Sequence, residues 1–450
     1  MDSLWTHDVC LPTFPRLEGD LETDVLVIGG GLCGVLCAYR LQEAGVRYAL
    51  IEAERICRGV TARTTAKLTS QHGLIYHDLL RRLGPERARQ YYDVNEAALA
   101  RYRALCRTMD CGFEERDAYV YEAGGTKKLE EEMAALDRLG IPANGLSRLP
   151  LPVPAAGAIR FRHQAQFHPL RFVRELVKGL NIYEYTAACA YDGRAIVTDS
   201  GRITARRIIV ATHFPMFSKH GTYFLKLYQH RSYVLALEGA QDVHGMFVDE
   251  RETGLSLRNA KGLLLLGGGA HRTGKRGGGW NELSAFAREH YPGAREVYRW
   301  ATQDCMTLDG VPYIGRYAKG APSLFVATGF GKWGMTTSMV AADLLCDLVQ
   351  DRANDCAALF SPARSMLHTQ LLRNGLEACA SLIMPTRPRC PHMGCALKWN
   401  PQERSWDCPC HGSRFAEDGA LLNNPATGDL CAGAMNGREW RRSHGDTGGV

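Results

Sequence analysis

The chain has 450 residues, of which 45% are apolar and 23% charged, with 54 basic against 48 acidic side chains and a net charge of +6. At about 150 residues per domain that length implies two or three globular domains. The 47 glycines and 19 prolines fall in no repeat, which excludes collagen-like and low-complexity chains, and the mild charge, with no arginine-rich stripe, excludes nucleic acid as a partner.

In chain order, an acidic, proline-bearing lead-in runs to Asp20 and is followed by a β-branched run, Asp24 to Ile28, that reads as a buried strand. A helix is predicted from Leu32 to Ala44 and a second strand from Tyr48 to Glu52, which makes a βαβ unit. From Pro85 to Met109 the residues Tyr91, Val94, Ala98, Tyr102 and Leu105 repeat at helical spacing, and Lys127 to Leu139 does likewise. Residues 113–122, 158–167, 182–190 and 231–238 read as strands. The apolar runs 207–212 and 323–328 both end in Ala-Thr, as buried parallel strands do, and Trp333 to Gln350 is a helix. Residues 351–385 are a mixed connector. Beyond it the composition shifts to Cys, His, Trp, Gly and Asn in a small separate lobe, and the polar tail, 436–450, is expected to be disordered.

Met1 to Asp8 contains neither the basic nor the apolar stretch of a secretory signal. The longest uncharged apolar run, Val25 to Tyr39, is too short and glycine-rich to insert in a membrane. The expected compartment is the cytoplasm, where regularly spaced cysteines serve as metal or redox ligands more often than as disulfides. Sixteen cysteines are present, five of them between Cys390 and Cys431.

The segment Gly29-Gly30-Gly31-Leu32-Cys33-Gly34 matches G-x-G-x-x-G between a strand and a helix. Gly29 permits the tight turn, Gly31 lets backbone approach a pyrophosphate, and Gly34 allows close helix–strand packing. Glu52, 18 residues after Gly34, would accept ribose hydroxyls. A second glycine-rich strand-to-helix turn, Thr328 to Thr336, lies three hundred residues later, after Thr307-Leu308-Asp309-Gly310-Val311-Pro312. Over residues 20–350 this arrangement resembles the D-amino-acid-oxidase-like family of FAD oxidoreductases. The resemblance implies FAD as cofactor and places Gly329, Gly331, Gly334, Met335 and Thr336 beside the flavin ring, where a helix N-terminus favours the negative charge of the reduced state. It also sets the loop Arg63, Thr64, Thr65, Ala66 and Lys67 along the flavin and its diphosphate, and it leaves Lys332 open as either a charge at the flavin or a solvated side chain.

At the other end, Cys390-Pro391-His392 and Cys408-Pro409-Cys410-His411 form C-x-H, 15 residues, C-x-x-H. Over residues 386–431 this resembles the Rieske family, which implies a 2Fe-2S cluster held by the thiolates of Cys390 and Cys408 and the imidazoles of His392 and His411. The same resemblance puts Cys395 and Cys410 where some members form a disulfide, and Ser413 where a hydroxyl reaches a bridging sulfide. The order C-H-C-H departs from a zinc finger, yet a structural zinc site stays an alternative. No strands precede Cys390, so the lobe is expected to lack the family's β-rich base and to need a docking surface, with Leu397, Trp399, Trp406, Leu421 and Leu422 as candidates for packing on the flavoprotein.

The implied fold class is α/β: a Rossmann-type FAD-binding domain (20–90, 158–215, 300–350), a mixed α+β substrate domain (91–157, 216–299), a linker (351–385) and a small β- and loop-rich Rieske lobe (386–435). Substrate-pocket candidates are His213, Arg231, Tyr233, Asp304 and Lys332, with Tyr228, His230, Arg258, His271 and Trp280 behind them. Amino-acid-oxidising relatives commonly place a carboxylate-gripping arginine five residues before the Asp-Gly, and Asp304 stands there instead, which favours an amine donor. The expected activity is a dehydrogenase that passes electrons from a small donor through FAD and the cluster to an unknown acceptor. A non-catalytic redox sensor and a flavoenzyme with a zinc lobe are the alternatives. Pockets on opposite faces, with solid protein between them and no hinge, would exclude such wiring.

Overall fold

Residues 3–217, 220–251, 254–385 and 388–430 are described by a computed structural model. The β-branched run after Asp20 forms the strand Leu21–Ile28, central in an eight-stranded sheet. It pairs in parallel with Arg202–Val210 on one side and Tyr48–Ile51 on the other, so that Val27 lies beside Ile209 and Leu50. Strand Ala321–Thr328 extends the sheet in parallel, and Tyr313–Ala318 closes that edge antiparallel. These strands are buried on both faces, which explains their unbroken apolar runs. Helices Leu32–Glu43 and Gly334–Val349 pack against each other on one face, and both begin at glycine-rich turns from strand ends.

A second, nine-stranded sheet runs in the order Arg295–Thr307, Leu227–Glu238, Leu263–Arg272, Ser256–Ala260, Met246–Asp249, Glu114–Glu122, Gly157–Gln166, Lys67–Leu68, with Asn144–Leu146 paired to Gly157–Gln166. It takes in the strands at 157–166 and 295–307, which the sequence pattern had grouped with the nucleotide domain. The predicted helix at Pro85 is the longer part of Tyr76–Cys106. About two turns precede it, broken at Gly84 (φ 81°, ψ 171°), because Pro85 offers no N–H to continue the ladder.

The connector contains the helix Thr369–Ile383, whose inward face is polar. Asn374 Oδ1 accepts from Arg272 Nη1 (2.9 Å), and Ser381 O accepts from Ala396 N (3.0 Å) in the first cluster loop. A helix therefore stands where a β-rich base would be. The lobe beyond it is a four-stranded antiparallel sheet, Lys398–Asn400, Ser405–Asp407, Arg414–Ala416 and Leu421–Asn423. No helix among the described residues is long and apolar enough to cross a membrane. Cys431 and the expected disordered tail lie outside the described residues.

Candidate active site and cluster centre

The turn Gly29–Gly34 is built for close approach. Gly29 has φ 106°, and a Cβ on Gly34 would stand 1.8 Å from the carbonyl oxygen of Gly29. Glu52 closes this corner by accepting from the backbone N–H of Gly30 (2.6 Å) and of Glu54 (3.1 Å). Burial raises its pKa, and these hydrogen bonds oppose the rise. The helix that starts at Leu32 has Gly31 as its cap, and the N–H of Leu32 donates to Thr61 Oγ1 (3.0 Å), so the turn leaves the N–H of Gly31 and the helix's positive end toward an anion.

A cleft of about 1070 Å³ opens between the two large sheets. Thr64, Thr65 and Lys67 line one wall; Gly331, Lys332, Gly334 and Met335 line another; His213, Ser232, Tyr233, Thr302 and Asp304 line a third. The loop at 63–66 is held by its carbonyls: Trp300 donates to Arg63 O (2.9 Å), Trp5 to Thr64 O (2.7 Å), and Arg258 to both Thr65 O and Ala66 O (2.8 Å each). Gly329, Gly331 and Lys332 all have positive φ, and a Cβ on Gly329 would meet Thr307 Cγ2 at 2.2 Å. That turn delivers helix Gly334–Val349 with its N-terminus at the cleft and no side-chain cap. Thr336 faces the other way, exchanging hydrogen bonds with Thr69 N and O (3.0 Å each).

Three titratable groups in the cleft are displaced by burial. Asp304 is raised to about 6 against the pull of Lys332 and Arg231, Lys67 is lowered to about 7, and His213 is lowered to about 4. Lys67 Nζ donates to Ser256 Oγ (2.8 Å) and Thr65 Oγ1 (3.2 Å). Asp304 accepts no side-chain hydrogen bond among the described residues, which leaves its carboxylate available to a ligand. Ser256, Asp249 and Arg251 also line the cleft. Asp249 and Ser256 come from short strands the sequence pattern does not reveal, and Arg251 from the turn that follows Asp249.

In the lobe the two cluster loops face one another. The imidazole rings of His392 and His411 are 5.0 Å apart at 89°, and Cys390 and Cys408 share a hydrogen bond that lowers the Cys390 thiol. Burial pushes His411 down to about 3, so it stays neutral as a metal ligand must. Its Nε2 is taken by Phe224 O (2.9 Å), while its buried Nδ1 has no hydrogen-bond partner among the described residues and is free to bind iron. The thiols of Cys395, Cys408 and Cys410 lie within 4.8 Å of one another, but Cys395 and Cys410 are free. The disulfide that some Rieske members form at these positions is not supported, because the two sulfurs are not at bonding distance; they hydrogen-bond one another.

Arg231, counted among the substrate candidates, does not line the cleft. Side chains alternate across a strand, and Gln229, Arg231 and Gln303 leave the opposite face of the sheet toward the lobe. Arg231 pairs with Glu403, which also holds Arg414 (3.0 Å). Gln303 Nε2 donates to Gly412 O (2.8 Å), Gln229 Nε2 to His411 O (2.8 Å), and Arg272 Nε to Pro409 O (3.0 Å). Tyr233 takes part on both sides, lining the cleft while its hydroxyl meets His271 Nε2 (3.1 Å) and Asn400 Nδ2 (3.3 Å). The apolar docking expected of Leu397, Trp399, Trp406, Leu421 and Leu422 is replaced by this polar contact. Leu397 and Trp406 are buried in the lobe's own core, with Trp399 and Leu421 against it, and Leu422 is 49% exposed. A lobe this small needs its apolar residues inside, and its cluster loops present carbonyls that polar partners must satisfy.

The FAD dependent oxidoreductase family matches residues 24–348, and the Rieske [2Fe-2S] domain matches residues 381–432. The chain belongs to the FAD dependent oxidoreductases and carries a Rieske domain. It is 35% identical to the Rieske 2Fe-2S iron-sulfur protein YhfW of Bacillus subtilis across 94% of this chain and 96% of that one. It is 24% identical to gamma-glutamylputrescine oxidoreductase of Escherichia coli across 76% of this chain and 86% of that one. In fold it is similar to glycine oxidase from Geobacillus kaustophilus (TM-score 0.66, 20% identity, 77% of this chain and all of that one) and to L-proline dehydrogenase from P. horikoshii (0.64, 15%, 78% and 98%). FAD and a 2Fe-2S cluster are the cofactors of this oxidoreductase. The close glycine turns and the N-terminus of Gly334–Val349 at the cleft fit the first, and the two thiols with a neutral, metal-ready imidazole fit the second.

Proposed function

We propose that this FAD-dependent oxidoreductase dehydrogenates a small amine and sends the electrons by way of the Rieske lobe to a separate one-electron acceptor in the cytoplasm. FAD supplies hydride acceptance and single-electron release, and the cluster supplies one-electron storage. The observation that carries the reading is the sharing of strands by the two sites. Adjacent residues of one strand, Gln303 and Asp304, touch the cluster loop and line the cleft respectively. Cleft and cluster loops stand on opposite faces of a single sheet layer, and the turn at His213–Phe214 reaches both.

The chain's own residues divide the work. Asp304, at the cleft wall, binds the ammonium form of the donor and, with a pKa near 6, can accept its proton and leave the neutral amine whose C–H bond is broken. The uncapped N-terminus of Gly334–Val349 favours negative charge at the cleft wall. Lys67, held by Ser256 and Thr65, is a second proton acceptor near neutrality. An acid at 304 repels a carboxylate, so amines without one are the preferred donors.

An anaerobic screen of amines and amino acids on purified holoprotein, reading flavin absorbance and cluster EPR together, tests this. Bleaching by amines followed by a reduced-cluster signal is the expected result. Strong turnover of simple amino acids that survives Asp304→Ala would refute the donor class, and a bleached flavin beside a permanently oxidised cluster would refute the route.

A further inference from the structure

The turn after strand Arg202–Val210 contacts both sites through consecutive residues. His213, at φ 65°, lines the cleft, and its Nε2 donates to Gln229 Oε1 (3.2 Å). Phe214 is fully buried, and its ring lies 6.1 Å from that of His411 and 6.3 Å from that of His392, edge-on to both. The lobe grips this turn, since Asn424 Nδ2 donates to Thr212 O (2.8 Å) and Phe214 O (3.1 Å). Gln303 Nε2 bridges Gln229 Oε1 (2.7 Å) and Gly412 O (2.8 Å), and Gln229 Nε2 continues to His411 O (2.8 Å). A path of packed and hydrogen-bonded groups thus runs from the cleft wall to one cluster ligand.

The two ligand imidazoles are not equivalent. His411 is buried, and its Nε2 is committed to Phe224 O on the flavoprotein side. His392 is only half-buried and is followed by Met393, which is 44% exposed.

We propose that the His213–Phe214 turn and the Gln229–Gln303 pair are positioning residues that couple the cleft to the cluster, with His411 on the inlet side and His392 on the outlet side, where a one-electron acceptor meets the lobe. This rests on the function proposed above. An amine becoming an imine releases two electrons and two protons. A 2Fe-2S centre holds one extra electron at a time, so each donor is matched by two one-electron acceptors, and the protons go to solvent.

The test uses full-length holoprotein under argon. The flavin is reduced by a laser-generated 5-deazariboflavin radical, and flavin and cluster absorbance are followed separately. Phe214→Leu is expected to slow flavin-to-cluster transfer at least tenfold while the cluster's EPR spectrum and midpoint potential stay as in the wild type. Where that spectrum changes, Gln303→Met carries the same test. An unchanged transfer rate with an unchanged spectrum in either variant overturns the coupling role. Met393→Trp, which screens the His392 edge, is expected to slow reoxidation of the reduced cluster by ferricyanide at least threefold, and an unchanged reoxidation rate overturns the outlet assignment. Absence of any flavin-to-cluster transfer in the wild type is a different result, one that overturns the proposed function itself.

Discussion

A carboxyl group that burial raises to about 6 changes charge within the ordinary assay range, and Asp304 is such a group at the wall of the cleft. Above that pH it is an anion and holds a cationic donor; as the pH falls through 6 it is neutralised and the attraction is lost. Affinity for a cationic amine should therefore fall on the acid side, and Asp304→Asn should remove that limb. A hydrogen bond to a charged group is worth about 1.5–3 kcal/mol, so KM for the amine should rise roughly ten- to hundredfold in the variant, measured across pH 5 to 8. Phe415 is the corresponding residue for the cluster. It is fully buried in the core that contains the four lobe cysteines among the described residues, and Ser413, which bonds Cys390, is a hydroxyl donor already present there. Phe415→Tyr adds a second donor near the ligand sulfurs, and hydrogen bonds to sulfur raise the potential of such centres. Voltammetry on the holoprotein should show the midpoint move upward.

Between elements, glycines set how close the flavoprotein and the lobe can come. Gly274, just past strand Leu263–Arg272, has φ 73°, and a Cβ there would stand 2.6 Å from Pro409 N and 2.8 Å from its Cα, both backbone atoms that cannot yield. The left-handed conformation alone costs an alanine about 1–2 kcal/mol, before the lobe is pushed away. Gly274→Ala should leave flavin content intact while the lobe becomes sensitive to limited proteolysis and loses its cluster at lower temperature. Nothing in the sequence around Gly274 announced this role. Local patterns were legible where one element carries the whole signal: the strand–glycine–helix unit at 21–43, helix Lys127–Leu139, and the two cluster loops. Arg231 was legible as a functional residue but not as a lobe contact, because strand alternation leaves open which face meets which partner. Gln229, Gln303 and Asn424 are ordinary amides in sequence. Their importance comes from carbonyls of a lobe nearly two hundred residues away for Gln229, about a hundred for Gln303, and for Asn424 from a turn over two hundred residues back. The strands between 246 and 272 escaped notice because Met246–Asp249 and Ser256–Ala260 are only four and five residues long, and the four leucines of Leu263–Arg272 run straight into three glycines.

At the scale of the molecule, the lobe is an appendage whose apolar core consists, among the described residues, of nine buried ones, four of them cysteines. A chain near the lower size limit for independent folding leans on metal, disulfides or a partner surface, and this one has the cluster and the flavoprotein. What fastens it is a nearly dry ionic chain. Arg231 is 4% exposed and Glu403 10%, Arg414 is 5% and Asp407 1%, and Arg414 Nε meets Asp407 Oδ1 at 2.9 Å. Burial pushes the Glu403 carboxyl up, but Arg231 and Arg414 outweigh it and hold the pKa below the ordinary value. A charge so enclosed is poorly screened by salt, so the lobe should stay docked at 1 M sodium chloride. Glu403→Gln keeps the shape but leaves the Arg231 guanidinium without its carboxylate, while Arg414 keeps Asp407, and breaking a buried pair costs about 3–5 kcal/mol. Because the core of the flavoprotein is separate, that cost should fall on docking. Cluster bleaching on heating should shift to lower temperature and separate from flavin release, where the wild type loses both together. A fragment of residues 366–450, which lacks Arg231, Gln229 and Gln303 altogether, should not hold a cluster; a soluble, loaded fragment would show that the lobe needs neither the ionic chain nor the sheet it rests on.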